Sequence, residues 1–319
     1  MKLSFLGFLL IFQLTVGPTQ AASEKVVEAA GPLGPLKGIH TTADRASAPV
    51  ILIIPGSGPT DRDGNNPQGV SASTYKYLAK ELAELQVQSV RIDKRGMFSS
   101  HAAIKDANQV TLEDYADDVH SWIRTIHSET NVACVWLLGH SEGGLVALVS
   151  AQRKEFICGI ILTAAPGRKF GDILRQQLKD NPANEPILKD ALQAVRDLEA
   201  GNFVDVSGFH PALQQLFFPS VQNYLINIMS YSPSELISSL SLPILILQGD
   251  RDLQIGKMDA KALSEANSNA VLRILSNVNH VLKRVNTNNR AENFATYSNP
   301  ALPLAEGVTA TIVEFVKSN

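Results

Sequence analysis

The chain has 319 residues, of which 45% are hydrophobic, 18% charged and 6% aromatic, enough apolar side chain for a sizeable core and unlike a disordered or collagen-like composition. Lys and Arg number 28 against 31 Asp and Glu, a formal net charge of −3. No basic run would track a phosphate backbone, so nucleic-acid binding is not expected.

The first segment reads as a signal peptide over 1-21. Met1-Lys2 is positively charged, residues 3–16 are apolar except for Ser4, Gln13 and Thr15, and Gly17-Pro18-Thr19-Gln20-Ala21-Ala22 ends the run mostly in small residues. The apolar stretch is shorter than the roughly 18–20 residues that cross a bilayer. Cleavage near Ala21 would leave an exported chain, periplasmic or secreted, with no stable membrane span. The two cysteines, Cys134 and Cys158, are too few for a disulfide scaffold and both lie in apolar runs, so buried free thiols are expected.

Residues 48–54 form a continuous β-branched apolar run stopped by Pro55-Gly56-Ser57-Gly58-Pro59, the pattern of a strand buried on both faces. Leu78, Leu82 and Leu85 then fall at helical spacing within 73–85, and a short strand over 89–93 ends in Lys94-Arg95-Gly96. Thr111 followed by Asp114 resembles a capping box, and Leu112, Tyr115, Val119, Trp122, Ile123 and Ile126 supply the buried stripe of the helix it opens. A strand over 132–138, a helix over 142–154 and a strand over 157–163 continue the alternation, which predicts an α/β fold with a doubly wound, mostly parallel sheet flanked by helices. Between 166 and 241 the pattern breaks into helical stretches without a convincing strand, read as an inserted helical cap. Strands over 242–247 and 270–275 and a helix over 305–317 complete the core, which therefore comprises 22-165 and 242-319.

The most informative residues are Gly139-His140-Ser141-Glu142-Gly143-Gly144, standing between an apolar strand and an apolar helix. They match the G-x-S-x-G nucleophile elbow, in which a tight turn exposes the serine oxygen at the carboxyl edge of the sheet. The Glu142 N–H, at the start of the helix, would face a developing oxyanion, so Glu142 contributes backbone rather than carboxylate. Of the seven histidines, His120 and His127 fall on a predicted helix, His140 adjoins the serine, and His40 and His101 precede it; His210 lies in the insertion. His280 lies in the loop after the last strand, at the same sheet edge as Ser141, and is the preferred general base. The acid is expected after the strand ending at Leu247, where Asp252 is preferred and Asp250, beside Arg251, is the fallback; the order serine, acid, histidine fits this fold. Ser57 N–H, with Gly58 as alternate, is the expected second oxyanion donor. Asp61, Arg62 and Asp63 are read as a self-paired charge cluster that stiffens this loop rather than as substrate-binding charges.

Pro55-Gly56-Ser57-Gly58-Pro59-Thr60-Asp61-Arg62-Asp63-Gly64-Asn65, Asp93-Lys94-Arg95-Gly96, the Ser141 elbow, the run from Gly249 to Asp252 and Asn279-His280 together resemble the α/β-hydrolase superfamily over about the whole mature chain. The glycine-rich loop is similar to that of bacterial esterases related to the serine-aminopeptidase-like hydrolases, with Pro55 where many lipases carry histidine. The resemblance implies an eight-stranded sheet, a variable cap, a Ser-His-Asp triad of Ser141, His280 and Asp252, and neither metal nor cofactor. The function expected is hydrolysis of small-molecule carboxylic esters, with short to medium acyl groups, through an acyl-enzyme. Leu213, Leu216, Phe217, Phe218, Leu225, Ile226, Ile228 and Met229 in the insertion are expected mostly to attach it to the core, with some lining an acyl pocket. A serine aminopeptidase would need a carboxylate for the substrate's amino terminus, for which Glu185, Glu199 and Asp205 are available; a thioesterase uses the same fold, and a catalytically silent binding protein is the alternative from another class.

Overall fold

The computed structural model describes residues 23–319. The expected signal peptide over 1-21 lies outside the described residues. Two antiparallel strands, β1 (Glu24–Ala29) and β2 (Leu36–Thr41), open the fold and join a parallel set: β3 (Val50–Ile54), β4 (Gln88–Ile92), β5 (Val135–His140), β6 (Ile157–Thr163), β7 (Ile244–Gly249) and β8 (Val271–Leu275). The single eight-stranded sheet has the order β1-β2-β4-β3-β5-β6-β7-β8. The parallel strands stand where the buried apolar runs predict them. β1 and β2 are not legible as strands in the sequence, because neither carries a continuous apolar run: β1, at the sheet edge, buries only Val27 and Ala29, and β2, between β1 and β4, is interrupted by Lys37, Gly38 and His40.

Strand alternation explains why the central runs are apolar throughout. Val50, Leu52 and Ile54 of β3 enter the core on one face of the sheet and Ile51 and Ile53 the core on the other. β5 divides likewise, with Val135 and Leu137 on one side and Trp136 and Leu138 on the other. The helices that cover these faces begin with α1 (Thr74–Glu84), α2 (Leu112–Thr130) and α3 (Glu142–Ser150). Thr111 caps α2 reciprocally, its Oγ1 accepting from the Asp114 N–H at 3.1 Å while the Asp114 carboxylate accepts from the Thr111 N–H at 2.9 Å.

Between β6 and β7 the chain folds as α4 (Phe170–Lys179), α5 (Leu188–Glu199), α6 (Pro211–Leu216), α7 (Gln222–Met229) and α8 (Pro233–Ser238). Leu174, Leu178, Val195, Leu198, Leu213, Phe217 and Met229 make a separate apolar cluster there, whereas Ile228, Ile237 and Leu240 join the core beneath the sheet. The chain ends through α9 (Lys257–Ala266), α10 (Arg290–Ala295) and α11 (Val308–Ser318). Among the described residues no helix is long and apolar enough to cross a membrane.

β3 pairs with β4 on one side and β5 on the other, so the chain leaves β3 in one direction and returns in the opposite one. Loops leaving the carboxyl ends of β3 and β5 diverge at such a switch point and leave a crevice between them. That crevice holds the site described below.

The free-thiol expectation is corrected. Cys134 and Cys158 form a disulfide with Cα atoms 5.1 Å apart. The apolar runs showed burial, but only the pairing of Val135 with Ile157 in neighbouring parallel strands brings the two cysteines within bonding range. With the cysteines 24 positions apart in sequence, replacing both with serine is expected to lower stability by about 3 kcal/mol, measured as the shift in a urea unfolding curve.

Candidate active site

Ser141 sits between β5 and α3 with φ 55° and ψ −126°, a conformation disfavoured for a residue with a side chain. The turn closes because Gly139 and Gly143 lack side chains: a Cβ on Gly139 would run into the carbonyl of Gly143, and one on Gly143 into the carbonyl of Ile54. Strand, nucleophile turn and helix therefore approach as the G-x-S-x-G spacing predicts.

His280 Nδ1 lies 2.8 Å from Asp252 Oδ2, and both side chains are buried. Asp252 is itself held firmly, its Oδ1 accepting from the N–H groups of Gln254 at 2.8 Å and Ile255 at 2.9 Å. With Asp252 as acceptor, Nδ1 carries the proton and Nε2 is left as a base. Asp250 instead accepts from the Asn277 N–H at 2.6 Å and makes no contact with His280. Of the two aspartates, Asp252 is the one that bonds His280.

Ser141, His280 and Ser57 line one cavity of about 120 Å³, with Gly56, Thr60, Asn66, Val70, Thr74, Tyr75, Gln254, Val281 and Tyr297 among its walls. Ser141 Oγ makes no hydrogen bond among the described residues; Ser141 and His280 face the same space without being joined. Glu142 is not part of the cavity wall, although its N–H heads α3 directly after the nucleophile. The Glu142 carboxylate is buried 3.6 Å from Lys94 Nζ, consistent with a backbone rather than side-chain contribution. No residue of the insertion lines the cavity. Leu213, Phe217 and Met229 are consumed by the insertion's own core, Leu225 and Ile226 pack against it, and Leu216 and Phe218 are exposed. The expected acyl-pocket lining from this segment is therefore corrected for this cavity: the walls come from the core loops.

The charged residues of the glycine-rich loop do stiffen it, but through other strands rather than by pairing with one another. Arg62 Nη2 bonds Asp93 Oδ2 at 2.6 Å, Asp63 accepts from Arg91, and Asp61 Oδ1 accepts from the N–H groups of Asp63 and Asn65, both at 2.8 Å. Arg95 completes the Asp93-Lys94-Arg95-Gly96 motif by gripping both oxygens of Asp118 at 2.7 Å. Lys94 reaches the carbonyl of Gly56 with its Nζ at 2.6 Å; burial pulls its ammonium below the usual lysine range, against the opposing pull of Glu142.

Tyr75 and His140 were not singled out from sequence as parts of the site. Tyr75 Oη lies 2.8 Å from His140 Nδ1 and accepts from the Gly56 N–H at 3.1 Å, while His140 Nε2 lies 2.8 Å from the His280 carbonyl. Tyr75 reads as one more apolar position of a helix, and no local spacing reveals a contact made 65 residues along the chain. Of the carboxylates considered for an aminopeptidase, Glu199 pairs with Arg175 at the surface, Glu185 and Asp205 are exposed, and none lines the cavity. Among the described residues no group of three or more His, Cys, Asp or Glu side chains is placed to hold a metal ion.

Residues 69–177 match the family described as serine aminopeptidase, S33. Esterase EstD of Thermotoga maritima is 22% identical over 242 residues, 73% of this chain and 54% of that protein, so the chain spans about half the length of the curated relative it matches. Among solved structures, the esterase EaEST of Exiguobacterium antarcticum superposes with a TM-score of 0.56 at 16% identity, over 91% of this chain and 98% of that one. Est1E of Butyrivibrio proteoclasticus gives 0.57 at 15% identity, over 92% and 99%. The chain has the α/β-hydrolase fold. In this fold the strained serine after β5 and the histidine after β8 open onto one cavity.

Burial, with the neighbouring His280 adding to it, pushes the His140 pKa down to about 3 from the ordinary 6.5. The folded protein therefore keeps His140 neutral while the unfolded chain protonates it. The corresponding stability is complete above pH 6.5 and is lost progressively as pH falls toward 3. Between pH 6.5 and 5.5 the unfolding free energy of the wild type is expected to fall by ~1 kcal/mol more than that of His140→Gln, measured by urea denaturation at each pH.

Proposed function

We propose that this protein is a serine hydrolase of small carboxylic esters. Ser141 Oγ attacks the ester carbonyl while His280 Nε2 takes its proton, and Asp252 holds the imidazole in the required tautomer and stabilises the imidazolium. The N–H groups of Ser57 and Glu142 receive the oxyanion of the tetrahedral intermediate. Collapse expels the alcohol, which takes the proton from His280, and leaves an acyl-enzyme at Ser141. Water then attacks the acyl carbon with His280 again as base, releasing the acid and restoring the serine.

The observation that carries this reading is the Asp252-held imidazole opening, together with a strained, glycine-flanked serine, onto one shared cavity. That cavity contains no Asp, Glu, Lys or Arg in its wall, which favours an uncharged ester over a peptide whose ammonium must be neutralised. Its volume of about 120 Å³ is small beside the roughly 300–1,000 Å³ of pockets that hold drug-sized ligands, and favours short acyl groups. The family match over 69–177 supports an aminopeptidase as the second reading. Export into an oxidising compartment is part of the proposal, supported by the Cys134–Cys158 disulfide and the composition of the first residues.

Hydrolysis of p-nitrophenyl acetate, butyrate and octanoate beside aminoacyl-p-nitroanilides tests the assignment. Acetate and butyrate are expected to turn over fastest, with activity abolished in Ser141→Ala; preferential cleavage of the anilides would replace the esterase reading with the aminopeptidase one. In the same assay Asp252→Asn is expected to lower kcat by about 10⁴ and Asp250→Asn by less than about threefold. Equal losses in the two variants would remove Asp252 from its assigned role.

A further inference from the structure

We propose that Tyr75 and His140 form a positioning brace that holds the loop after β3, the nucleophile turn and the loop after β8 in mutual register; the inference rests on the hydrolase reading above. The brace is a chain of three hydrogen bonds with backbone at both ends: the Gly56 N–H, Tyr75 Oη at 3.1 Å, His140 Nδ1 at 2.8 Å from that oxygen, and the His280 carbonyl at 2.8 Å from His140 Nε2. Tyr75, His140 and His280 are all buried.

The chemistry of the two ends sets the direction of every bond. A carbonyl oxygen only accepts, so His140 Nε2 carries the proton and donates to His280. His140 Nδ1 then has a lone pair and accepts from the Tyr75 hydroxyl, whose oxygen in turn accepts the Gly56 N–H. Reversing the middle bond would place an unprotonated Nε2 against a carbonyl and leave two buried acceptors facing each other. Burial raises the Tyr75 phenol above its ordinary value and keeps His140 neutral, so both retain the protonation this chain requires.

The brace bears directly on the oxyanion donor. Tyr75 occupies the Gly56 N–H, which leaves the next amide, that of Ser57, as the donor the loop can offer. The carbonyl of Gly56 and the N–H of Ser57 belong to one planar trans peptide and point in opposite directions. Lys94 Nζ holds that carbonyl at 2.6 Å from the buried side, so the Ser57 N–H is turned away from the buried lysine. The loop also lies hard against the nucleophile, since a Cβ on Gly56 would stand 3.3 Å from Ser141 Cβ. At the other end, the bond from His140 fixes the backbone of His280, whose ring centroid is 4.9 Å from that of His140. Serine, oxyanion donor and base are thereby tied through two side chains that hydrogen-bond neither Ser141 Oγ nor the His280 ring.

Such a brace is felt chiefly in the transition state, where small misplacements of donor and base reduce rate more than binding. The test compares Tyr75→Phe, His140→Gln and His140→Leu with wild type on p-nitrophenyl acetate. Tyr75→Phe and His140→Leu are expected to lose about tenfold or more in kcat with KM changed by less than about twofold. His140→Gln, whose amide keeps one acceptor and one donor, is expected to recover most of that loss. Wild-type kcat in Tyr75→Phe, or equal losses in His140→Gln and His140→Leu, would overturn the proposal.

Histidine ¹⁵N NMR of the wild-type protein gives a readout independent of turnover and of whether the variants fold. His140 is expected as the neutral Nε2–H tautomer at pH 7; an Nδ1–H tautomer would overturn the direction of the chain and with it the brace. A wild-type protein without esterase or anilidase activity would sink the hydrolase reading, and the tautomer would still decide whether the brace exists.

Discussion

The site depends on one strained residue. Ser141 is held at φ 55° and ψ −126°, a backbone conformation that costs on the order of 1–3 kcal/mol and persists only where its surroundings leave no alternative. Those surroundings are the buried strand β5 on one side and the buried helix α3 on the other, packed so closely that Gly139 and Gly143 have no room for a side chain. The strain is thus maintained by the sheet core itself. Its product is a hydroxyl beside the crevice where the loops after β3 and β5 part.

Around that fixed point the chain places a dense set of buried polar contacts. Arg95 with Asp118, Arg62 with Asp93, and Lys94 with Glu142 join the Asp93-Lys94-Arg95-Gly96 segment to the glycine-rich loop, to α2 and to the start of α3. Buried ion pairs of this kind add little net stability, because desolvation offsets much of their attraction, but removing one partner strands the other. Their effect here is to limit the positions available to a loop that has glycines where it meets the nucleophile. The neutral chain through Tyr75 and His140 does the same without introducing charge next to the imidazole. Under the proposed mechanism the oxyanion donors are fixed before the reaction starts, so no reorganisation is needed as charge develops.

The helices between β6 and β7 stand apart from this arrangement. They enclose their own apolar cluster and attach to the core through Ile228, Ile237 and Leu240, while the cavity beside Ser141 is built from core loops. Ser141, His280, Asp252 and the cavity wall therefore all rest on the sheet and its loops. The insertion's apolar residues are explained by packing, which is the ordinary fate of such residues in a segment that must hold itself together.

By itself the sequence determined the parallel core and the candidates for nucleophile, acid and base, because each has a local signature: continuous apolar runs for doubly buried strands, G-x-S-x-G for the elbow, and aspartate and histidine in the loops that follow late strands. Even the capping of α2 was legible, since Thr111 and Asp114 meet within one turn. Four things were decided only by tertiary structure: the antiparallel pairing of β1 and β2, the Cys134–Cys158 bond, the contact between Asp252 and His280, and the contacts of Tyr75 and His140. The reason is common to all four. Edge pairing, disulfide range and hydrogen-bond direction depend on which segments become neighbours and in what register, and side-chain identity in a linear order carries no record of that until the sheet has brought the segments together.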